Sequence, residues 1–170
     1  MEKIHNKHEM SHSSENTKSS SMYMRFVVMA AAMFVAMYFI MYAMIDGWQN
    51  LILNINNLYM TLLMVSAMLL IELLVMNPMY VNKKMNRIII LISVVIGIFS
   101  WFGIREQMFV GDKEFVKGMI PHHAAALLMS EKTKLTDPEL IELQKNILES
   151  QAKEIELMKR KLDEFKKTGR

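Results

Sequence analysis

The sequence of 170 residues contains no cysteine, and long stretches of it contain no charged residue. Without cysteine the chain cannot form disulfides, thiolate zinc sites or iron–sulfur clusters, and this absence suits a compartment that oxidises free thiols. A glycine-rich phosphate loop, a nucleophile elbow and a helical His-Glu-x-x-His motif are also absent. Because no general base is paired with a nucleophile, we expect a protein that is not an enzyme. The formal charge of +3 is too small and too dispersed to indicate nucleic-acid binding.

The stretches without charge predict a membrane protein. Apolar residues are concentrated in residues 22–104, in three runs at about 26–44, 58–76 and 88–104. Each run is close to the roughly 20 residues that cross a bilayer core. No cleavage site follows the first run, so we interpret it as an uncleaved transmembrane helix rather than a signal peptide. The sequence therefore predicts three transmembrane helices.

The distribution of lysine and arginine predicts the orientation. These residues occur in the N-terminal segment and between the second and third spans, whereas the loop at 45–57 has none. By the positive-inside rule the N-terminus is cytoplasmic, and three spans put the C-terminus on the opposite side. In a bacterium we expect a multi-pass protein of the inner (cytoplasmic) membrane with a periplasmic or extracellular C-terminal domain.

Residues 1–21 are polar and predict a disordered cytoplasmic tail. The tail contains His5, His8 and His12. Two interpretations stay open: a loose metal-collecting tail, and a low-complexity terminus without function.

Residues 105–170 predict a soluble helical hairpin, with helices at about 113–132 and 138–167. A short connection makes the two helices antiparallel neighbours. Each helix has one mostly apolar seam with steps of three and four residues. The predicted seams are Phe115, Met119, His122, Ala126 and Met129 in the first helix, and Ile141, Gln144, Leu148, Gln151, Ile155, Met158, Leu162 and Phe165 in the second.

The first hairpin helix contains adjacent histidines, His122 and His123, between Met119 and Met129. Imidazole and thioether donors suit a soft or borderline metal such as copper. Neighbours on a regular helix are rotated by about 100°, so both imidazoles reach one ion only if Pro121 distorts the turn or a second chain supplies ligands. Pro121 either kinks the helix or begins a new one.

The seam of the second helix offers further donors, Gln151, Glu154 and Met158. In the alternative interpretation, His122 is a hydrogen-bonded core group facing Gln151, and the methionines only fill gaps. A His-His pair bracketed by methionines in a domain without cysteine favours the metal site.

Methionine is also abundant in the spans, among the nineteen methionines of the chain. Residues at steps of four form a row in each of the first two spans. The first row consists of Met29, Met33, Met37 and Met41, and the second consists of Met60, Met64, Met68, Glu72 and Met76. Such a row is either a path of thioethers for Cu(I) or an inclined ridge that packs against a neighbouring helix. We favour packing, although a carboxylate inside a bilayer is costly and usually functional.

The pattern Phe115-x-x-x-Met119-Ile-x-His122-His123-x-x-Ala126-x-x-Met129, followed by Gln151-x-x-Glu154-Ile155-x-x-Met158, resembles the bacterial family known as domain of unknown function 305. The resemblance covers about residues 112–165. It implies a ferritin-like helical fold and, as in some members of the family, copper binding in the periplasm linked to copper tolerance. The three spans are similar to a membrane-anchored branch of this family.

The resemblance also implies a ligand set: His122, His123, Met119 and Met158, with Met129 and Glu154 as further candidates. Many members complete a bundle of four helices, which two copies of this hairpin would restore. The expected fold is therefore all-α, with three transmembrane helices followed by an extracytoplasmic hairpin that forms half of a ferritin-like bundle.

These observations predict a membrane-anchored copper-binding protein for copper tolerance or trafficking. Cu(I) is favoured, and Cu(II), silver and zinc stay open. The expected partners are the membrane, a second copy of the chain, and copper-exporting or copper-chaperone proteins. The alternatives are a copper transporter or transporter subunit that uses the methionine rows, and a membrane anchor that binds no metal and serves as an interaction module.

Overall fold

A computed structural model describes residues 2–76 and 78–169, with side chains described from residue 21 onward. This part of the chain is helical and contains no strand, which confirms the expected all-α class. Two short 3-10 turns, at Met41–Met44 and Trp48–Asn50, connect the first helix to the second. The helices in chain order are α1 (Glu2–Ile40), α2 (Ile55–Val75), α3 (Lys83–Arg105), α4 (Asp112–Lys132) and α5 (Pro138–Thr168).

Three segments are long and apolar enough to cross a membrane: Ser21–Met44, Ile55–Val75 and Lys83–Arg105. The three predicted spans are confirmed in this sense, and each begins three to five residues earlier than predicted. Large apolar side chains on these helices are exposed, as at Leu74 and Val75, which are both 74% exposed. Such surfaces are typical of helices that face lipid.

Asparagine side chains explain the early starts of α2 and α3. Oδ1 of Asn54 accepts a hydrogen bond from the backbone N–H of Asn57 at 2.9 Å. Oδ1 of Asn82 accepts from the backbone N–H groups of Lys84 and Met85, both at 3.1 Å. These are N-caps, which satisfy amide groups that the first turn of a helix leaves unpaired. The apolar runs alone do not reveal them.

The structure gives residues 2–21, which the sequence predicted to be part of a disordered tail, as the first part of α1. Side chains before residue 21 are not described, so the metal-collecting role of His5, His8 and His12 stays a prediction.

One compact unit comprises residues up to Ala36 together with Thr61–Trp101. Its core is a cluster of buried side chains: Tyr23, Phe26, Leu73 and Tyr80. Oη of Tyr23 donates to Oδ1 of Asn86 at 2.7 Å, and Nδ2 of Asn86 donates to the carbonyl oxygen of Tyr80 at 2.8 Å. These bonds join α1, α3 and the loop after α2 by buried polar contacts.

A second compact unit comprises Met37–Met60 and Phe102–Arg170. It contains the whole predicted hairpin and also the connection between α1 and α2. The hairpin core consists of Val116, Ile120, Ala124, Leu127, Ile155 and Leu162, and Ile45 and Ile52 of the connection pack against it. Helix α4 therefore contacts the 3-10 turns as well as α5.

The predicted seam of α5 is confirmed, because all eight of its residues are buried or half-buried. The predicted seam of α4 is wrong. Phe115 is 53% exposed and Met129 is 51% exposed, whereas Ile120 is completely buried. Helix α4 has apolar residues on two faces, and periodicity alone cannot identify the one that meets α5.

The structure tests two predictions from local sequence, the start of α5 and the effect of the proline in α4. Oδ1 of Asp137 accepts hydrogen bonds from the backbone N–H groups of Glu139 and Leu140, which confirms the predicted cap before Pro138. Helix α4 continues through Pro121, which is buried. The alternative in which a new helix begins at Pro121 is therefore wrong.

Candidate metal sites

The structure directs the two adjacent histidines to different faces of α4. The side chain of His123 is 13% exposed and lies against α5, whereas His122 is exposed and lines a cavity on another side of the helix. Because α4 is continuous, the rotation of about 100° between neighbours is preserved. The alternative interpretation of His122 as a buried core group is wrong.

His123 meets a carboxylate of α5. Its Nδ1 lies 3.1 Å from Oε2 of Glu154, whose side chain is 50% exposed. The atoms are close enough for an ion pair when the imidazole is protonated, but the geometry is not that of a hydrogen bond. Nδ1 is buried and has no hydrogen-bond partner among the residues that the structure describes. A buried polar atom without a partner typically costs about 1–3 kcal/mol, so its position calls for a ligand or another explanation.

Two methionines belong to the same region of the hairpin. Met119 precedes His123 by four residues on α4, and Met158 follows Glu154 by four residues on α5. Because α4 and α5 are antiparallel, both thioethers lie about one turn, roughly 5.4 Å, toward the same end of the hairpin. Both are half-buried, and Met158 packs against the hairpin core. We call His123, Glu154, Met119 and Met158 the hairpin site.

The other candidates of α4, His122 and Met129, line a cavity of about 490 Å³. We call it the methionine cavity, because Met41, Met44 and Met60 also line it. Its remaining walls are formed by Ile45, Asn56, Asn57, Ile104, Gln107, Gly118, Pro121, Ala125 and Ala126. All of these residues belong to the second compact unit.

One residue that lines this cavity, Asn56, has a buried polar atom without a partner among the described residues. Oδ1 of Asn56 accepts no hydrogen bond from them, whereas Nδ2 donates to Oε1 of Gln107 at 3.2 Å. Helix α4 approaches this side chain closely at Gly118, where a Cβ atom would lie 3.2 Å from Nδ2. Glycine and alanine on this face of α4 therefore leave the space that the cavity occupies.

The candidates in the spans have other surroundings. Glu72 accepts a hydrogen bond from Oη of Tyr80 at 2.8 Å. Burial raises the pKa of Tyr80 to about 12, and the hydrogen bond and charge of Glu72 act in the same direction. On the same helix, Met64 is half-buried and Met68 is 40% exposed.

In the part of the chain that the structure describes, no group of three His, Asp or Glu side chains is close enough to hold a metal ion. Met44 is not among the predicted ligands, and Met41 and Met60 were predicted only as members of the methionine rows in the spans. Only the fold shows that all three line a cavity with residues of α4.

Comparisons with known proteins relate this chain to a protein family and to a viral protein. The model of the family described as "Domain of unknown function (DUF305)" matches residues 105–162. The chain is also similar to "Uncharacterized protein L153" of Acanthamoeba polyphaga mimivirus, with 37% identity over 146 residues that cover 82% of this chain and 92% of that protein. This similarity is longer than the hairpin region, so it includes residues of the spans. No solved structure matches.

Proposed function

We propose, from the premise that this chain belongs to the DUF305 family, that it is a membrane-anchored copper-binding protein that serves copper tolerance or trafficking. The hairpin binds the ion on the extracytoplasmic side of the membrane, and the three spans hold it there. The protein acts by binding rather than by catalysis. Its membrane in a bacterium is the inner membrane, with the N-terminus in the cytoplasm, as the positive-inside rule predicts.

The observation that carries this proposal is the buried Nδ1 of His123, which lacks a hydrogen-bond partner and lies 3.1 Å from Oε2 of Glu154. A metal ion bound by the neutral imidazole gives this atom a partner. The adjacent thioethers of Met119 and Met158 add the soft donors that Cu(I) prefers. The carboxylate of Glu154 is a harder donor, so the hairpin site also accepts Cu(II) or zinc.

A second copy of the chain is the partner that the hairpin supports best. Leu143 and Leu157 are 52% and 45% exposed on α5, and their spacing of fourteen residues puts them near one face of the helix. Pairing of two hairpins through this face forms a bundle of four helices. Copper-exporting and copper-chaperone proteins are the further partners that this function requires.

The test uses the full-length protein, purified in detergent and titrated with Cu(I) against a competing chelator. We expect His123→Ala and Glu154→Gln to weaken Cu(I) binding at one site at least tenfold. Removal of a residue that only orients a metal-ligating side chain already weakens metal binding by about tenfold or more. Met79→Leu is the matched control, because Met79 is 48% exposed and belongs to neither group of candidate ligands. Unchanged affinity in both hairpin variants would overturn the proposal, and so would a parent protein that binds no copper.

A further inference from the structure

We propose that the methionine cavity is a second site for a soft monovalent cation of the Cu(I) class, separate from the hairpin site, and that His122 serves this second site. This inference rests on the proposed function for the identity of the ion, but it assigns the second ion to residues outside the hairpin site. His122, Met44, Met60 and Met129 are the ligands on which the argument depends.

The first step is the separation of the two imidazoles. His123 occupies the interface of α4 with α5, where its Nδ1 is buried beside Glu154. His122 lies about 100° around α4, is exposed, and lines the cavity. An ion bound by His123 at the α5 interface is therefore on a different face of the helix from an ion bound by His122.

The second step is the chemistry of the lining. Thioethers from the first 3-10 turn, from α2 and from α4 line the same cavity as the imidazole of His122. The polar groups that complete the lining are amides, and among the described residues that line the cavity none carries a carboxylate or an ammonium group. Uncharged sulfur and nitrogen donors suit Cu(I) and silver, whereas hard divalent cations require oxygen donors and usually carboxylates. The hairpin site differs in this respect, because Glu154 supplies a negative charge.

The third step concerns space and adaptability. A cavity of about 490 Å³ leaves room for thioether side chains to change rotamer around an ion. Met44, Met60 and Met129 are 51%, 40% and 51% exposed, so packing does not fix them in place.

A gap-filling role for these methionines is the rival explanation, and substitution by leucine distinguishes the two. Leucine has a similar volume, so a core usually tolerates this exchange at a cost below about 1.5 kcal/mol. It removes the sulfur. Met44→Leu with Met60→Leu therefore preserves packing and abolishes ligation, and His122→Ala tests the imidazole independently.

The experiment measures the number of Cu(I) ions that the full-length protein binds in detergent, under anaerobic conditions and against a competing chelator. We expect the parent to bind two ions per chain, and the Met44→Leu/Met60→Leu variant and the His122→Ala variant to bind one each. Met24→Leu/Met79→Leu is the matched control with two exposed methionines outside the cavity, and we expect it to bind both ions. Zinc at equal concentration should compete for the hairpin ion and leave the cavity ion in place.

The outcomes separate this inference from the proposed function. If the cavity variants keep both ions, or if the parent binds a single ion that hairpin and cavity variants both lose, the second site is overturned and the hairpin site stands. If only the cavity variants lose an ion, the inference stands and the hairpin site is overturned. A parent that binds no Cu(I) overturns both. Equal helical circular dichroism in all variants excludes misfolding as the cause of any loss.

Discussion

The two carboxylates among the candidate ligands, those of Glu154 and Glu72, have different neighbouring side chains. Glu154 stands half-exposed beside an imidazole nitrogen that has no hydrogen-bond partner. Glu72 instead accepts a hydrogen bond from Tyr80, which belongs to the loop between α2 and α3. The carboxylate in the membrane region therefore has a structural partner, and this favours the packing interpretation of the methionine row on α2.

The Tyr80 hydroxyl reports directly on this contact. Burial is the main cause that raises its pKa to about 12, and the carboxylate of Glu72 adds to the effect. We expect Glu72→Gln to lower this pKa and to leave it above 10, because burial remains. The folded state holds the proton more tightly than the unfolded chain, so stability from this group is full below about pH 10 and is lost as the pH rises toward 12.

The measurement is an ultraviolet titration of tyrosinate absorbance in the detergent-solubilised protein. The chain has five tyrosines, so the difference between each protein and its Tyr80→Phe counterpart isolates the one of interest. An unchanged pKa in Glu72→Gln would show that the carboxylate does not act on Tyr80. Glu72 would then be available for the thioether path through the spans.

At the residue scale the sequence predicted the histidines, Glu154 and Met158 as candidate metal ligands. It did not predict which of the two histidines lies beside Glu154. Rotation between adjacent helical residues predicts that His122 and His123 diverge. Which of them faces α5 depends on the face of α4 that packs, and that choice is made by contacts distant in sequence. For the same reason, the sequence does not show that Met44 and Met60 lie near α4, since Met44 belongs to a connection and Met60 to a span rather than to the hairpin.

At the scale of helices, the sequence predicted the existence of both α4 and α5, but it predicted the buried face of α5 only. Helix α5 has one apolar stripe and a polar remainder, so its buried face follows from periodicity. Helix α4 packs against α5 and also against the 3-10 turns between α1 and α2, and it therefore presents apolar residues on two sides. The structure selects Ile120 for the interface with α5 and leaves Phe115 exposed.

Paired alanine substitutions test this choice of face. Ile120 is completely buried in the hairpin core, so we expect Ile120→Ala to reduce the free energy of unfolding of the hairpin by about 2–5 kcal/mol. Phe115 is 53% exposed, so Phe115→Ala should cost much less, of the order of 0.5 kcal/mol. The spans stay helical in detergent, and urea unfolding followed by circular dichroism therefore reports on the hairpin. A larger loss in Phe115→Ala than in Ile120→Ala would restore the seam that periodicity predicted.

At the scale of the whole molecule, three helices of membrane-spanning length precede the hairpin, and the DUF305 family model matches the hairpin region at residues 105–162. Similarity to the mimivirus protein covers 82% of this chain, so it is not confined to the hairpin. Span number and the existence of the hairpin were predictable because both depend on local composition. The side of the membrane on which the hairpin lies depends on insertion, and the distribution of lysine and arginine is its only indicator in the sequence.

The absence of cysteine makes this orientation directly measurable, because a single introduced thiol is unique in the chain. Val81 is 72% exposed in the loop between α2 and α3, and Ser150 is exposed on α5. The experiment uses spheroplasts, which are bacterial cells without the outer membrane and cell wall but with an intact inner membrane. In these cells we expect a membrane-impermeant maleimide to label Ser150→Cys and not Val81→Cys. Permeabilised cells should give labelling of both variants, and the cysteine-free parent should stay unlabelled throughout. Labelling of Val81→Cys alone in intact cells would place the hairpin in the cytoplasm, where its histidines and methionines would meet the copper pool of the cell interior instead.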